Sequence, residues 1–368
     1  MKKIDIMTFS NSHNYGAVLQ AYALQEVLKK ENKVEIINYK DKIVNQQYKI
    51  IKFNKNIISS LLKNLLFLNI NLKRSLNFKK FIKDNLNMSE QEYKTEKELI
   101  DNPPVADIYI AGSDQVWNSD TTQGLRDSYS LNFGTKEIKK ISYAASIGNS
   151  IIDFSEEKDY KEKLSSLKYI SVREENAKDC LEKIIKDKSI TVVMDPTLLL
   201  TKEEWNTKIK VNKSNILKEK YILAYMVQPD IEYINVVNEI EQKTNLKVVH
   251  FSKTNRGIKN VLKSEYTVGP FEFINLIKNA EYVVCTSFHA IVFSIIFNKK
   301  FWVIPHRKTG SRVTNLLDKL GISERAVNSL DEFKKLDYDK EIDYEKVNKK
   351  LDEERKKSID WLNNAINS

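Results

Sequence analysis

Short runs of apolar, β-branched and aromatic residues recur along the chain, separated by stretches in which apolar positions return every three or four residues. The runs predict strands at 4–9, 34–39, 106–111, 141–146, 169–173 and 191–194, and again at 221–227, 246–251, 282–285 and 301–305. The amphipathic stretches predict helices at 15–30, 174–186, 231–242, 271–279 and 312–320. Strands this apolar are buried on both faces, and helices between them form the crossovers of a parallel sheet. The alternation therefore predicts an α/β protein with doubly wound sheets.

The pattern breaks near 200–218. Asp195-Pro196-Thr197 ends one strand, Thr201-Lys202-Glu203-Glu204 has the form of a capping box, and a polar stretch leads into the next strand. Two Rossmann-like domains facing a cleft are expected, at 1–205 and 206–342, followed by a C-terminal helix at 343–368 long enough to cross back onto the first. Residues 40–84 interrupt the first domain with a helical insertion. It carries Lys49, Lys52, Lys55, Lys63, Lys73, Arg74, Lys79, Lys80 and Lys83, and an apolar stripe of Ile57, Ile58, Leu61, Leu62, Leu65 and Leu66. Two readings are open: the leucines pack on the first domain, or the insertion rests on an anionic membrane surface.

Composition narrows the class. The 368 residues suffice for two domains, and 41% hydrophobic with 30% charged residues suits a soluble globular chain. No window has the ~18 uninterrupted apolar residues of a membrane span. The start, Met1 to Met7, reads as a first strand rather than a signal peptide. Cys180 and Cys285 form neither a disulfide framework nor a CxxC pair, so a reducing cytoplasm is expected and a zinc site is not. The net charge of +10 is spread along the chain, with no helix-turn-helix, RNA-recognition or zinc-finger spacing. Nucleic acid is therefore not an expected partner; a small anionic substrate or an anionic membrane is.

In doubly wound sheets ligands lie beyond the carboxyl ends of strands. Four such segments carry candidate chemistry. In Ser12-His13-Asn14-Tyr15-Gly16-Ala17, helix-start amides can hold an anion or a sugar hydroxyl, or Ser12 or Asn14 simply caps the helix. In Gly112-Ser113-Asp114-Gln115-Val116-Trp117-Asn118, polar groups beside an aromatic ring suit a sugar, and Asp114 is a candidate base or a turn cap. Arg173, at a strand end before Glu174 and Glu175, can grip a carboxylate or phosphate, or pair with those glutamates. His289 follows Ser287 at a strand-to-helix junction and ranks above His13, His306 and His250 for acid catalysis or anion binding. Arg307 and Arg312 add positive charge downstream. No GxGxxG, Walker or GxSxG pattern occurs, and His, Asp and Glu do not gather at metal-ligand spacing.

Taken in order, Asn14-Tyr15-Gly16-Ala17-Val18-Leu19-Gln20, Gly112 to Asn118, Tyr143-Ala144-Ala145-Ser146, Ser171-Val172-Arg173-Glu174, Asp195-Pro196-Thr197-Leu198 and Ser287-Phe288-His289-Ala290 resemble the polysaccharide pyruvyl transferase family. The resemblance runs from residue 4 to about 322. It implies a glycosyltransferase-B-like fold, phosphoenolpyruvate as co-substrate, no cofactor or metal, and a sugar or lipid-linked oligosaccharide as acceptor. It further implies that Arg173, with Ser287, binds the donor near His289. Asn14, Tyr15, Gly16, Ser113, Asp114, Gln115, Trp117 and Asn118 would then meet the acceptor. One departure stands out: better-characterised members carry Arg-Leu before the histidine, where this chain has Ser287-Phe288. Arg312 or Arg307 is the expected replacement cation.

Two other functions compete. A nucleotide-sugar glycosyltransferase would share the fold, but Glu265 and Glu272 are not spaced like the ribose-gripping pair of its retaining members. A non-catalytic glycan-binding protein of a polysaccharide locus would release no phosphate.

Overall fold

The computed structural model describes residues 1–46, 48, 50–51, 57–148, 151–210, 217, 219–227, 229–254, 256–306 and 310–368, without the side chains of 57–59. The chain forms two compact units. The first comprises Met1–Lys49, Lys79–Leu200 and Asp352–Ser368; the second, Ile50–Phe78 and Thr201–Leu351.

The first unit is built on β1 (Lys3–Met7), β2 (Lys33–Tyr39), β3 (Met88–Tyr93), β4 (Ile108–Ala111), β5 (Lys139–Ala145), β6 (Tyr169–Val172) and β7 (Ile190–Val192). Their order is β3-β2-β1-β4-β5-β6-β7, and every pairing is parallel. The second holds β8 (Tyr221–Tyr225), β9 (Lys247–His250), β10 (Val261–Ser264), β11 (Tyr282–Cys285) and β12 (Lys300–Val303), in the order β10-β9-β8-β11-β12, again parallel. Ile4, Ile6, Ile110 and Ile141 in one sheet and Ile222, Val283 and Phe301 in the other are fully buried. This burial on both faces is what the uninterrupted apolar runs predict. Strand order reverses between β1 and β4, and between β8 and β11. Those are the topological switch points, where such sheets open a crevice.

Capping follows the local chemistry. Asn14 Oδ1 accepts from the amides of Gly16 and Ala17 at 2.9 and 3.4 Å, starting the helix Tyr15–Leu28. Thr201 and Glu204 make both bonds of the capping box, at 3.1 and 2.8 Å.

Three features differ from the sequence expectation. The edge strands β3 and β10 escape notice because Met88-Ser-Glu-Gln-Glu-Tyr93 and Val261-Leu-Lys-Ser264 are too polar to read as buried runs; edge strands tolerate that polarity. The division falls at Leu200/Thr201 rather than after 205, while Asp352–Ser368 of the helix Tyr344–Asn367 belongs to the first unit, the crossing back that its length allows. There Arg355 Nε donates to Leu198 O at 2.8 Å, and Ser358 Oγ accepts from Met194 N at 3.0 Å. Third, the leucine stripe does not pack on the first domain. The insertion's helix, Ile57–Asn85, lies in the second unit up to Phe78, and Leu61, Leu62, Leu65 and Leu66 are 54–76% exposed. Lys49, Lys52 and Lys55 lie outside the described residues, as do the side chains of Ile57 and Ile58. Among the described residues, no helix is long and apolar enough to cross a membrane.

One buried charge gives a stability prediction. Asp5, in the centre of β1, is fully buried, and neither carboxylate oxygen has a hydrogen-bond partner among the described residues. Burial pushes its carboxyl up to about 7; Lys3 partly opposes the shift and Glu35 adds to it. The folded chain then binds more protons here than the unfolded chain between about pH 4 and 7, so stability falls as pH rises through that window. Asp5→Asn is expected to flatten this slope. Above pH 7 it should raise unfolding free energy by on the order of 3 kcal/mol, read from urea titrations at several pH values.

Candidate active site

The signature segments converge within each unit on the carboxyl ends of its strands. In the first unit the hub is Ser113, just past β4. Its amide donates to Gln20 Oε1 at 3.1 Å, its hydroxyl to Ala144 O at 3.1 Å and Asp195 Oδ2 at 3.4 Å, and its carbonyl accepts from Thr8 Oγ1 at 3.1 Å. Gln20 Nε2 also donates to Thr8 Oγ1 at 2.8 Å. The approach is tight: Gly112 has φ +120°, and a Cβ there would lie 2.2 Å from Tyr143 O. Asp114 follows with φ 74°, a region aspartate tolerates better than most residues. Its Oδ1 accepts from Gln115 N at 2.8 Å.

Arg173, at the end of β6, is buried. Its Nε donates to Glu174 Oε1 at 3.0 Å and its Nη1 to Asp195 Oδ2 at 2.8 Å. Burial alone would push the guanidinium down, but Glu174, Asp195 and Asp114 outweigh it and hold Arg173 above the ordinary arginine range. Asp195 Oδ1 accepts from the amide and hydroxyl of Thr197 at 3.0 and 2.6 Å, and Ser146 Oγ donates to Glu174 Oε1 at 2.8 Å. The arginine is thus committed to two carboxylates, which makes it first an organiser of this network. The sequence offered the Arg173–Glu174 pair, though at the surface, and missed Asp195 and Gln20 as members. Asp195 and Gln20 lie inside motif segments, but their pairing across 82 and 93 residues leaves no local mark.

Exposure divides the expected acceptor residues. Asn14 is exposed, and Asp114 and Gln115 are partly so. Tyr15, Gly16, Ser113 and Asn118 are buried. Trp117 is fully buried, with Nε1 donating to Tyr129 O at 3.0 Å, so it offers no face to a sugar and belongs to the core. Phe154, beyond β5, is the exposed aromatic of this region at 88%.

In the second unit, Ser287 caps the helix Phe288–Ile296, its Oγ accepting from Ala290 N at 3.5 Å. His289 occupies the first turn, where helix amides face the strand ends, and is 8% exposed. Its ring stands perpendicular to that of Phe288, with centroids 5.2 Å apart. The Arg312 guanidinium lies 6.0 Å from the Phe288 ring centroid on the other element, the helix Ser311–Leu320. Ser287, His289 and Arg312 therefore gather around one phenylalanine. Arg307 lies outside the described residues.

His250 and Cys285 are buried. Burial, with Arg256 adding, pushes His250 down to about 4, so it stays neutral. Burial pushes the Cys285 thiol up to about 12, which removes it as a nucleophile near neutral pH. Among the described residues, no group of three or more His, Cys, Asp or Glu is placed to hold a metal ion.

Two parallel sheets of Rossmann type, with polar groups at both switch points, define a protein of the glycosyltransferase-B-like class. The fold is shared with the UDP-GlcNAc 2-epimerase of Neisseria meningitidis bound to UDP-GlcNAc (TM-score 0.50, 12% identity, covering 98% of this chain and 94% of that one). It is also shared with S. aureus MnaA in its UDP co-structure (TM-score 0.50, 13% identity, covering 89% and 84%). No curated relative matches the chain. The model of the polysaccharide pyruvyl transferase family matches residues 14–308, and the chain belongs to that family.

Proposed function

We propose that this protein transfers the pyruvyl group of phosphoenolpyruvate to two hydroxyls of a sugar in a polysaccharide precursor, free or lipid-linked, forming a ketal and releasing phosphate. It acts in the cytoplasm and uses neither metal nor cofactor. The observation that carries this reading is the position of the family segments. Those of the first unit collect around the β1/β4 switch point, and Ser287-Phe288-His289 sits at the end of β11 beside the other.

The residues divide by charge. Phosphoenolpyruvate carries roughly three negative charges near neutral pH and suits cationic donors. Arg312 offers such a cation, Ser287 and the amides at the start of the helix Phe288–Ile296 offer hydrogen-bond donors, and Arg307 adds a further cation in sequence. The first unit instead sets Asp114, Glu174 and Asp195 around the single Arg173, an acidic balance better suited to sugar hydroxyls. His289 donates a proton to the methylene carbon of the enol phosphate, leaving an oxocarbenium-like centre at C2. A sugar hydroxyl adds there as it gives up its proton to a base. The C2–O bond to phosphate then breaks, the phosphate leaves with its electron pair, and the second hydroxyl closes the ketal as it loses its proton. Asn14 and Gln115 orient the hydroxyls. Arg173 holds Asp195 and Glu174, and through Ser113 the turn that carries Asp114.

Release of inorganic phosphate from phosphoenolpyruvate, dependent on an added sugar acceptor, tests the proposal. A chelator is expected to leave that rate unchanged. Activity lost to chelation and restored by magnesium or manganese would contradict the metal-free chemistry. Consumption of a nucleotide sugar without phosphoenolpyruvate would assign the protein to the other transferase class.

A further inference from the structure

The helix Ile57–Asn85 is turned the wrong way for one that only packs on its own protein. Ser60, Ser75, Phe78 and Phe81 are buried on its inner side. Its contacts within the second unit include hydrogen bonds: Arg74 Nη1 donates to Tyr266 O at 2.7 Å, Asn77 Nδ2 to Thr267 O at 2.7 Å, and Lys253 Nζ to Asn71 Oδ1 at 2.6 Å. The outer side carries Leu61, Leu62, Leu65, Leu66, Leu72 and Leu76, between 38% and 76% exposed. With 3.6 residues per turn, Leu61, Leu65, Leu72 and Leu76 fall on one strip ~22 Å long, with Leu62 and Leu66 along its edge. An exposed helix face needs no leucine for its stability, since lysine and glutamate have similar propensities. A contiguous apolar patch of this kind marks a contact.

The charge on the same face says with what. The strip runs on into Lys79 and Lys83, and the edge into Lys73 and Lys80, all four exposed. Against six basic residues, the helix has a single acid, Asp84, already paired with Lys80 at 2.6 Å. A second copy would bring more lysines to this edge rather than carboxylates. We propose that this face docks on an anionic lipid surface, leucines entering the boundary between headgroups and acyl chains and lysines lying over the lipid phosphates. No residue of this face takes part in the proposed catalysis, and vesicle binding needs no substrate.

Sedimentation with sucrose-loaded vesicles decides it. The full chain should pellet at low salt with phosphatidylcholine containing roughly one quarter phosphatidylglycerol, but not with phosphatidylcholine alone, and should be released by salt. Changing Lys73, Lys79, Lys80 and Lys83 to Gln should lower partitioning by at least ~100-fold. Changing Leu65, Leu66 and Leu76 to Ser should lower it by at least ~10-fold with the charge unchanged. Both variants should keep the parental circular dichroism and melting temperature, since every altered side chain is exposed. Absence of pelleting with anionic vesicles at low salt, or equal pelleting of parent and variants, would overturn the proposal. So would a dimer in sedimentation equilibrium that Leu65→Ser with Leu66→Ser abolishes, because a second copy would then cover the face.

Discussion

His289→Ala is expected to lower turnover by about two to four orders of magnitude while the chain remains folded, the range for loss of a positioned acid. The residue lies in the first turn of the helix Phe288–Ile296, whose start is fixed by the Ser287 cap. Because it is largely buried, truncation to alanine also opens some space. His289→Asn guards against that: it keeps polarity and most of the volume but cannot deliver a proton at neutral pH. Comparable losses of kcat in both variants, with melting temperatures near the parent's, mark a catalytic group. A large fall in melting temperature, with normal activity per folded molecule, would make His289 a packing residue.

The second large effect is on stability. Arg173→Ala leaves Glu174 and Asp195 buried without their cation, and removal of one partner from a buried ion pair costs about 3–5 kcal/mol. A drop of roughly 10 °C in melting temperature is expected. Arg173→Lys separates the two roles. Lysine keeps the charge but cannot reach both carboxylates with a planar fork. If Arg173 acts as organiser, stability and kcat fall together and the Michaelis constant for phosphoenolpyruvate changes little. A 10- to 100-fold rise in that constant at unchanged stability would instead restore the donor-clamp role.

The contrast between Arg173 and Ser287 indicates what a sequence can and cannot disclose here. Central strands were legible because a segment such as Ile108-Tyr-Ile-Ala111 has no polar residue to turn outward, and parallel topology follows once helices intervene. Candidate positions were legible because the fold confines ligands to strand ends. What each side chain does there was not. Trp117 and Asp114 sit three residues apart on one turn, yet one points into the core and the other is partly exposed, and only the Gly112 approach to β5 decides which. Asp195 reaches Arg173 from beyond β7 and Gln20 reaches Ser113 from the helix Tyr15–Leu28, so these pairings are a property of packing alone. The insertion misled in the opposite direction. A leucine stripe ordinarily reports the face that packs, and here the side carrying Arg74, Ser75, Phe78 and Phe81 takes that place.

The central claim is the chemical identity of the transferred group. It is tested most directly by mass spectrometry of sugar acceptors, free and lipid-linked, incubated with the protein and phosphoenolpyruvate. The account predicts an acceptor that gains the mass of pyruvate less one water, in step with phosphate released, and that loses this increment on mild acid hydrolysis. The His289→Ala variant should not form it. An acceptor that gains a sugar residue instead, or phosphate release with no acceptor modified, would contradict the account.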